Sequence, residues 1–583
     1  MQKRQTLTKL LPAALICAAV LSPAGAAEAK NEITVAVAST FTTMDPWNAT
    51  DTLSQAVAKS FYEGLFKFDR EMNVVPSLAE SAESSPDGMQ HVVHLRRGVK
   101  FHDGTTFTAE AVKANFDRIT TPGSTLKRFF LFENVASLKV LDPYTVRFTL
   151  KRPNSAFINR LAHPSAVMIC PKSLSEKEVS IAFHPCGTGP FVMKNYNPSD
   201  VLRVEKNPNY WRAGYPKLDA ITWRPVVENS TRVAMALTGE ADYAFPLPSE
   251  QVKMVKDKGT LRVDVTPSIM LRFVEMNLTK PVFKDVRVRQ ALNYAVNKEA
   301  LVKVAFAGYA DVAEGIAPLS VDYAVKLGPW PYDPQKAKAL LKEAGYPNGF
   351  EVELWSGYNH TTASKIIQFL QQQLAQVGVK VRVRTLEAGE RTSFVESTPQ
   401  PEQSRHELYY IGWSSSTGEL DYAVRPVLAT SSFPPRGSNE SYYSNPAVDQ
   451  ALFYALGTTD REKKSAIYAQ MQETIWKDAP WIFLVSEQNI AASSKALHGF
   501  YIQPDSSFNF EEASLEPASL MKPRRRVQEQ INNKQAGRKF HAEIFHQATP
   551  RDDPHAHHRG GLRLLLHSPA PGRPGTFGCR PGS

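Results

Sequence analysis

The densest group of reactive side chains in the sequence is HVVHLRRGVKFHDG, residues 91–104, with His91, His94, His102 and Asp103 beside three cations. Such a set can hold a metal or a phosphate, and each chemistry makes a demand on spacing. A metal needs two ligands on one face. Gln90–Leu95 alternates in polarity and runs into Arg97-Gly98, the pattern of a strand and turn, and strand residues three apart point to opposite faces. His91 and His94 therefore do not share an ion, and β-branched neighbours disfavour the helix that would unite them. The spacing predicts a hairpin with VKFH as its second strand, a turn at Asp103-Gly104, and a helix over AEAVKANFDR capped by Thr108. No metal site is expected. GTGPF (187–191) lacks the Lys-Ser/Thr pair of a phosphate loop, and its Pro190 removes a backbone donor. G-x-S-x-G, H-E-x-x-H and paired C-x-x-C are absent, so neither catalysis nor a cofactor is expected, and a secreted hydrolase is the weakest function class for the chain.

Binding chemistry is better represented. In ELYYIGWSSSTGELDY (407–422), Tyr410 and Trp413 precede Ser414, Ser415, Ser416 and Thr417. Aromatic walls beside hydroxyls and free amides suit a small polar ligand, although a core strand ending in a surface turn has the same composition. In LWSGYNHTTASK (354–365), Asn359 and His360 stand just before a helix N-terminus, where the amides and the dipole favour anions. PSIMLRFVEMN (267–277) sets Arg272 in an otherwise apolar strand. A buried arginine needs an anion, either a structural carboxylate or a ligand carboxylate.

The elements that must position these residues alternate between strands and helices, the grammar of an α/β fold. ITVAVAS (33–39) and TVRFTL (145–150) read as strands, and the strand of 407–422 is expected to break at Gly412. DPQKAKALLKEAGYPNG carries Asp333 as N-cap, Pro334 at the first helical position and Gly345 just past the end. VRVRQALNYAVNKEALVKVAF (286–306) reads as one helix. ASKIIQFLQQQLAQVG ends at Gly378 and is followed by the strand VKVRVRT.

The two ends differ from this body. Residues 1–26 combine Lys3, Arg4 and Lys9, an apolar run from Leu10 to Leu21, and Ala24-Gly25-Ala26, which together predict a secretory signal peptide cut after Ala26 or Ala27. Bulky Ile16 before Cys17 argues against lipidation. Residues 518–583 are rich in Pro, Gly and His without apolar periodicity, and are expected to be a disordered, non-native basic tail. The full chain holds 68 Lys and Arg against 58 Asp and Glu; without the two ends the balance is 53 against 54. The body thus gives no case for a nucleic-acid partner. Cys170 and Cys186 remain in the body, as a disulfide or as two buried thiols. An oxidising compartment favours the bridge, worth about 3 kcal/mol.

PSLAESAESSPDGMQHVVHLRRGVKFHDGTTFTAEAVKANFDR resembles the signature of the peptide- and nickel-binding class (family 5) of periplasmic solute-binding proteins. FHPCGTGPF, KNPNYW, VRQALNYAVNKEAL and YDPQKAKALLKEAGYPNG agree with it, so the resemblance spans roughly 31–517. It implies a two-lobed periplasmic binding protein fold with a small subdomain and two crossover strands. Lobe I would take 27–278 plus 480–517, with the subdomain at about 76–188, and lobe II 279–479. It also implies a periplasmic monomer that closes around a ligand and delivers it to an inner-membrane ABC permease and its ATPase. Dipeptide binders of the class place an Asp three residues after the pocket Trp and an Arg about 21 residues before the helix-ending Gly. Ser416 and Gly357 stand at those positions here. NATDTLSQAVAKSFYEGLF and GWSSSTGE are similar to the glutathione-binding branch, which implies glutathione or a similar γ-linked or short peptide as ligand. Dipeptides, oligopeptides, haem and nickel are the alternatives on the same scaffold. The resemblance makes Arg272, Asn359, His360, Tyr410, Trp413 and Ser414–Thr417 the expected ligand contacts.

Overall fold

The computed structural model describes residues 31–49, 51–176, 180–398 and 400–516. The expected signal peptide and basic tail lie outside the described residues. The fold is mixed α/β. The strands of its two larger sheets, in chain order, are β1 (Glu32–Val37), β2 (Ala79–Ser84), β3 (Gln90–Leu95), β4 (Val135–Asp142), β5 (Thr145–Leu150), β6 (Phe191–Asn197), β7 (Val201–Lys206), β8 (Ala220–Pro225), β9 (Tyr243–Phe245), β10 (Leu261–Met276), β11 (Ala310–Val312), β12 (Glu351–Ser356), β13 (Lys380–Thr385), β14 (Leu408–Ser414) and β15 (Trp481–Ser494). One large sheet runs β13-β12-β14-β10-β15-β9-β1-β8-β7-β6, with β11 also paired to β15. A separate antiparallel sheet runs β2-β3-β5-β4. Helix α1 (Ala109–Thr120) buries Val112, Phe116 and Ile119, and Phe116 meets Phe148 of β5 edge-on at 4.8 Å.

β10 and β15 form the spine. They pair antiparallel from Leu261 opposite Ser494 to Glu275 opposite Trp481, with register shifts at Pro267/Leu271 and Arg272/Phe273. Pro267 has no N–H to give the ladder, so pairing lapses where it stands. The irregularity falls beside Arg272. The spine also divides the interior. Leu271 and Phe273 belong to the larger core, with Trp47, Phe116, Trp223 and Trp481. Val274 and Met276 belong to a second core built on helices α2 (Val286–Tyr294), α3 (Lys298–Phe306), α4 (Pro334–Glu343) and α5 (Thr361–Ala375). Three further helices, α6 (Leu420–Leu428), α7 (Pro446–Leu456) and α8 (Arg461–Asp478), give Val424, Leu452 and Met471 to the larger core.

The stretch 91–104 forms scaffold, with one change from expectation. His91 is buried, with Nδ1 2.8 Å from Ser84 Oγ, while His94 is half-exposed near Glu83. The hairpin partner of β3 is β2, and β5 lies on its other side, so VKFH is not a strand. Gly98 turns the chain at φ +77° and Val99 and Phe101 sink into the core instead. His102 then brackets the GTGPF loop. Its Nε2 lies 3.0 Å from the Gly189 carbonyl, and its Nδ1 accepts from the Gly187 amide at 3.3 Å. A Cβ on Gly189 would fall 2.7 Å from the Phe61 carbonyl oxygen, so only glycine fits this seam. Cys170 and Cys186 flank it, joined as a disulfide with Cα atoms 5.4 Å apart. Two other expectations change. The single helix over 286–306 is α2 and α3, parted where the Asn297 side chain accepts the Ala300 amide and starts a new helix. The strand expected to break at Gly412 continues to Ser414.

Candidate functional site: a crevice at the ends of β12 and β14

β12 is parallel to both its neighbours, β13 and β14, and the chain leaves its end for α5 and β13. In such sheets ligands bind outside the carboxyl ends of the strands, where connections part to either side. Ser356, the last residue of β12, lies opposite Tyr410, so beyond it β14 runs on through Gly412, Trp413 and Ser414 with β10 on one side and, among the described residues, no strand on the other. The loop after β12 brings Tyr358, Asn359 and His360 to this ledge.

Two groups of residues lie at this ledge, on opposite faces of the sheet. Arg272 faces the side of the sheet that carries Tyr410 and Gly412. Its guanidinium lies 4.6 Å from the centre of the Tyr358 ring, and Nε donates to Glu487 Oε1 at 2.7 Å. Arg272 is 8% exposed, and its Nη1 is buried without a hydrogen-bond partner. Burial alone would lower the guanidinium pKa, but Glu487 and the Tyr358 and Tyr410 rings together raise it well above its usual value, so the charge is fixed. Gly412 makes room for this side chain, since a Cβ there would sit 2.7 Å from Nη1 and 2.8 Å from Cδ. The His360 Nδ1 accepts the Ala363 amide at 3.2 Å and caps α5, with its ring 5.6 Å from Tyr358. Burial, then the positive charge of Arg272, lowers the His360 pKa, so the ring is neutral. Asn359 is exposed on the same loop.

The second group lies on the other face. Trp413 pairs in register with Leu271, not Arg272, so the strand pleat separates the expected aromatic wall from the expected cation. Trp413 Nε1 donates to the Tyr422 carbonyl at 2.7 Å, and the Tyr422 ring stacks on Phe130. The hydroxyls of the loop are partly committed. Ser415 Oγ donates to the Glu419 carbonyl at 2.7 Å. Ser416 Oγ meets His163 Nε2 at 3.0 Å, and the Thr417 carbonyl accepts from Asn159 Nδ2 at 3.2 Å. His163 Nδ1 accepts the Ser165 amide, so Nε2 carries the proton and donates to Ser416. Burial, then Arg128, holds the His163 pKa well below its usual value, which keeps it in that neutral form. Glu419 anchors the far end of the loop. It caps α6 through the Asp421 amide and pairs with buried Lys464 at 2.8 Å.

A cavity of about 490 Å³ opens where β10, β11 and β15 adjoin, lined by Ser268, Asp311, Glu314, Ser320, Ser486 and Glu487 among others. This volume lies within the range of ~300–1,000 Å³ typical of small-molecule sites. The sequence reading did not single out Glu487, Tyr358, His163 or Glu419. Glu487 had the same signal as Arg272, a charge in the apolar run WIFLVSEQNI; the others are fixed by tertiary contacts. Among the described residues, Asp103, Cys170 and Cys186 bring metal-type donor atoms together, but the two sulfurs are joined and are not thiolate ligands.

The model of the bacterial extracellular solute-binding proteins, family 5 Middle, matches residues 73–434. A glutathione-binding protein GsiB of Pectobacterium atrosepticum is 53% identical over 506 residues, covering 87% of this chain and 98% of that relative. One from Escherichia coli O1:K1 is 52% identical over 493 residues, covering 85% and 96%. Among solved structures, the Helicobacter pylori periplasmic binding protein DppA in complex with peptide STSA superposes with a TM-score of 0.71 at 27% identity, over 84% of this chain and 98% of that one. NikZ of Campylobacter jejuni in complex with Ni(L-His) superposes with a TM-score of 0.69 at 25% identity, over 82% and 99%.

Proposed function

Because the chain belongs to the bacterial extracellular solute-binding proteins of family 5, we propose that it is the periplasmic component of an ABC importer and captures glutathione, or a similar γ-linked or short peptide, for a membrane permease. The glutathione-binding relatives, similar over nearly their whole length, support this ligand class. The observation that carries it is the crevice itself. Ser416 and Gly357 stand where dipeptide binders carry charged anchors, and the charge sits instead on buried Arg272. Gly357 has no room for an arginine, since a Cβ there would meet the Tyr409 hydroxyl at 2.8 Å. Arg272 takes a ligand carboxylate, with Tyr410, Asn359 and His360 on its side of the sheet, and Trp413 and Ser414 to Thr417, which lie at the end of β14 beyond the pleat, take the remaining ligand contacts. Lobe I is assigned to 27–278 plus 480–517, with the subdomain near 76–188, and lobe II to 279–479, with β10 and β15 as the crossovers about which they close. Their shared pairing through both cores supports that assignment.

The protein is exported by its signal peptide, is not lipidated, acts as a monomer and carries out no bond chemistry on its ligand. Among the described residues no helix is long and apolar enough to cross a membrane. Calorimetric titration of the purified protein with glutathione, glutathione disulfide, an α-linked dipeptide and nickel tests the reading. Saturable one-to-one binding of a glutathione form is expected. Binding of the dipeptide or nickel alone would refute it.

A further inference from the structure

Opposite charges stand side by side on the two spine strands, and the negative one, Glu487, lines a ligand-sized cavity with Arg272 directly behind it. Arg272 of β10 gives one bond, from Nε, to Glu487 of β15. Its Nη1 has no partner although the side chain is nine-tenths buried. A guanidinium carries five N–H donors, and one left unsatisfied in the interior is unfavourable until an acceptor arrives. Glu487 is more open, its side chain 28% exposed, and only Oε1 is engaged by Arg272. It looks onto the cavity of about 490 Å³ with Asp311 and Glu314, and the lining includes no lysine or arginine. Asp311 accepts from Gln488, and Glu314 is paired with Lys326 at 3.0 Å. Glu487 therefore stands between a buried cation with an unspent donor and an acidic, hydroxyl-lined space.

The complement of that arrangement is a group with a carboxylate and an ammonium on one carbon. We propose that Arg272 and Glu487 form a clamp for an α-amino-acid zwitterion, Arg272 taking the carboxylate and Glu487 the ammonium, and that Glu487 selects γ-linked peptides. In a γ-linked peptide both charges of the first residue remain free on one carbon. In an α-linked peptide the ammonium and carboxylate lie at opposite ends, and one clamp cannot hold both. Two adjacent charges replace the separated anchors missing at Ser416 and Gly357. This inference rests on the glutathione reading above.

The test is calorimetry on the wild type and on Glu487→Gln with three ligands: glutathione, N-acetylated glutathione, and the α-linked tripeptide Glu-Cys-Gly. The wild type is expected to prefer glutathione to each of the others by about 10- to 100-fold, the worth of a charge-assisted hydrogen bond. Glu487→Gln is expected to lose that factor for glutathione and to bind the N-acetylated form as the wild type does. Equal weakening of both ligands would make Glu487 only a holder of Arg272 and would overturn the clamp. Equal affinity of the wild type for glutathione and its N-acetylated form would overturn it without any variant, should Glu487→Gln fold poorly. A wild type that binds no glutathione overturns the functional reading as well.

Discussion

Replacing Lys464 by Met tests how the loop 415–419 is held. Lys464 Nζ lies 2.8 Å from Glu419 Oε1, and both side chains are less than 5% exposed. Glu419 has few alternatives. It accepts the Asp421 amide, and burial already raises its pKa, with Lys464 acting in the opposite direction. Methionine fills the space but leaves a buried carboxylate, and removing one partner of a buried pair costs about 3–5 kcal/mol. Unfolding about 480 residues releases roughly 1 kcal/mol per kelvin of entropy, so the melting temperature should fall by about 3–5 °C. The sign with pH follows from the raised pKa. A carboxyl whose folded pKa lies above its unfolded value loses stability as pH rises through the folded pKa. The deficit should be largest near pH 8, shrink near pH 5, and be relieved at both by adding Glu419→Gln. Scanning calorimetry of the three proteins at both pH values is the assay. A deficit below about 1 °C, or one equal at pH 5 and pH 8, would refute the reasoning.

Three further outcomes are expected. The Cys170→Ser, Cys186→Ser double variant should unfold at lower urea, with a loss of about 3 kcal/mol for a bridge spanning 16 residues; thiol titration of the unreduced wild-type body should find neither sulfur. Gly412→Ala should push Arg272 from its bed and weaken ligand binding by about 10-fold or more, with a stability change of about 1–3 kcal/mol, read by titration and melting. His406 is buried, and that burial lowers its pKa to about 4. Its stabilising contribution is present above pH ~6.5 and lost as pH falls toward 4, by about 3 kcal/mol, so His406→Gln should flatten the acid limb of a stability-against-pH curve.

Much of the scaffold was legible because its signals are local. TVRFTL is β5 to the residue, and Asp333 caps α4 through the Lys336 amide. The break between α2 and α3 was missed because Ala295 and Val296 continue the apolar period, and only the Asn297 side chain interrupts it. VKFH was misread because its alternation serves burial of Val99 and Phe101 rather than a ladder. At the crevice, residue types were legible but partnerships were not. Arg272 was conspicuous, yet its carboxylate comes from 215 residues away. His163 and Asn159 reach Ser416 and Thr417 from more than 250 residues away, and no spacing rule spans such distances.

The disulfide has a consequence for a carrier of this kind. Glutathione is itself the reagent that opens disulfides, by thiolate attack on one sulfur and departure of the other. Cys170 is fully buried in the larger core, so an incoming thiolate cannot reach its sulfur. Attack on the more open Cys186 would expel the Cys170 sulfur as a thiolate into apolar surroundings, where that anion is strongly disfavoured. Both directions of exchange are thereby obstructed, so the bridge is shielded from a thiol ligand of the class proposed.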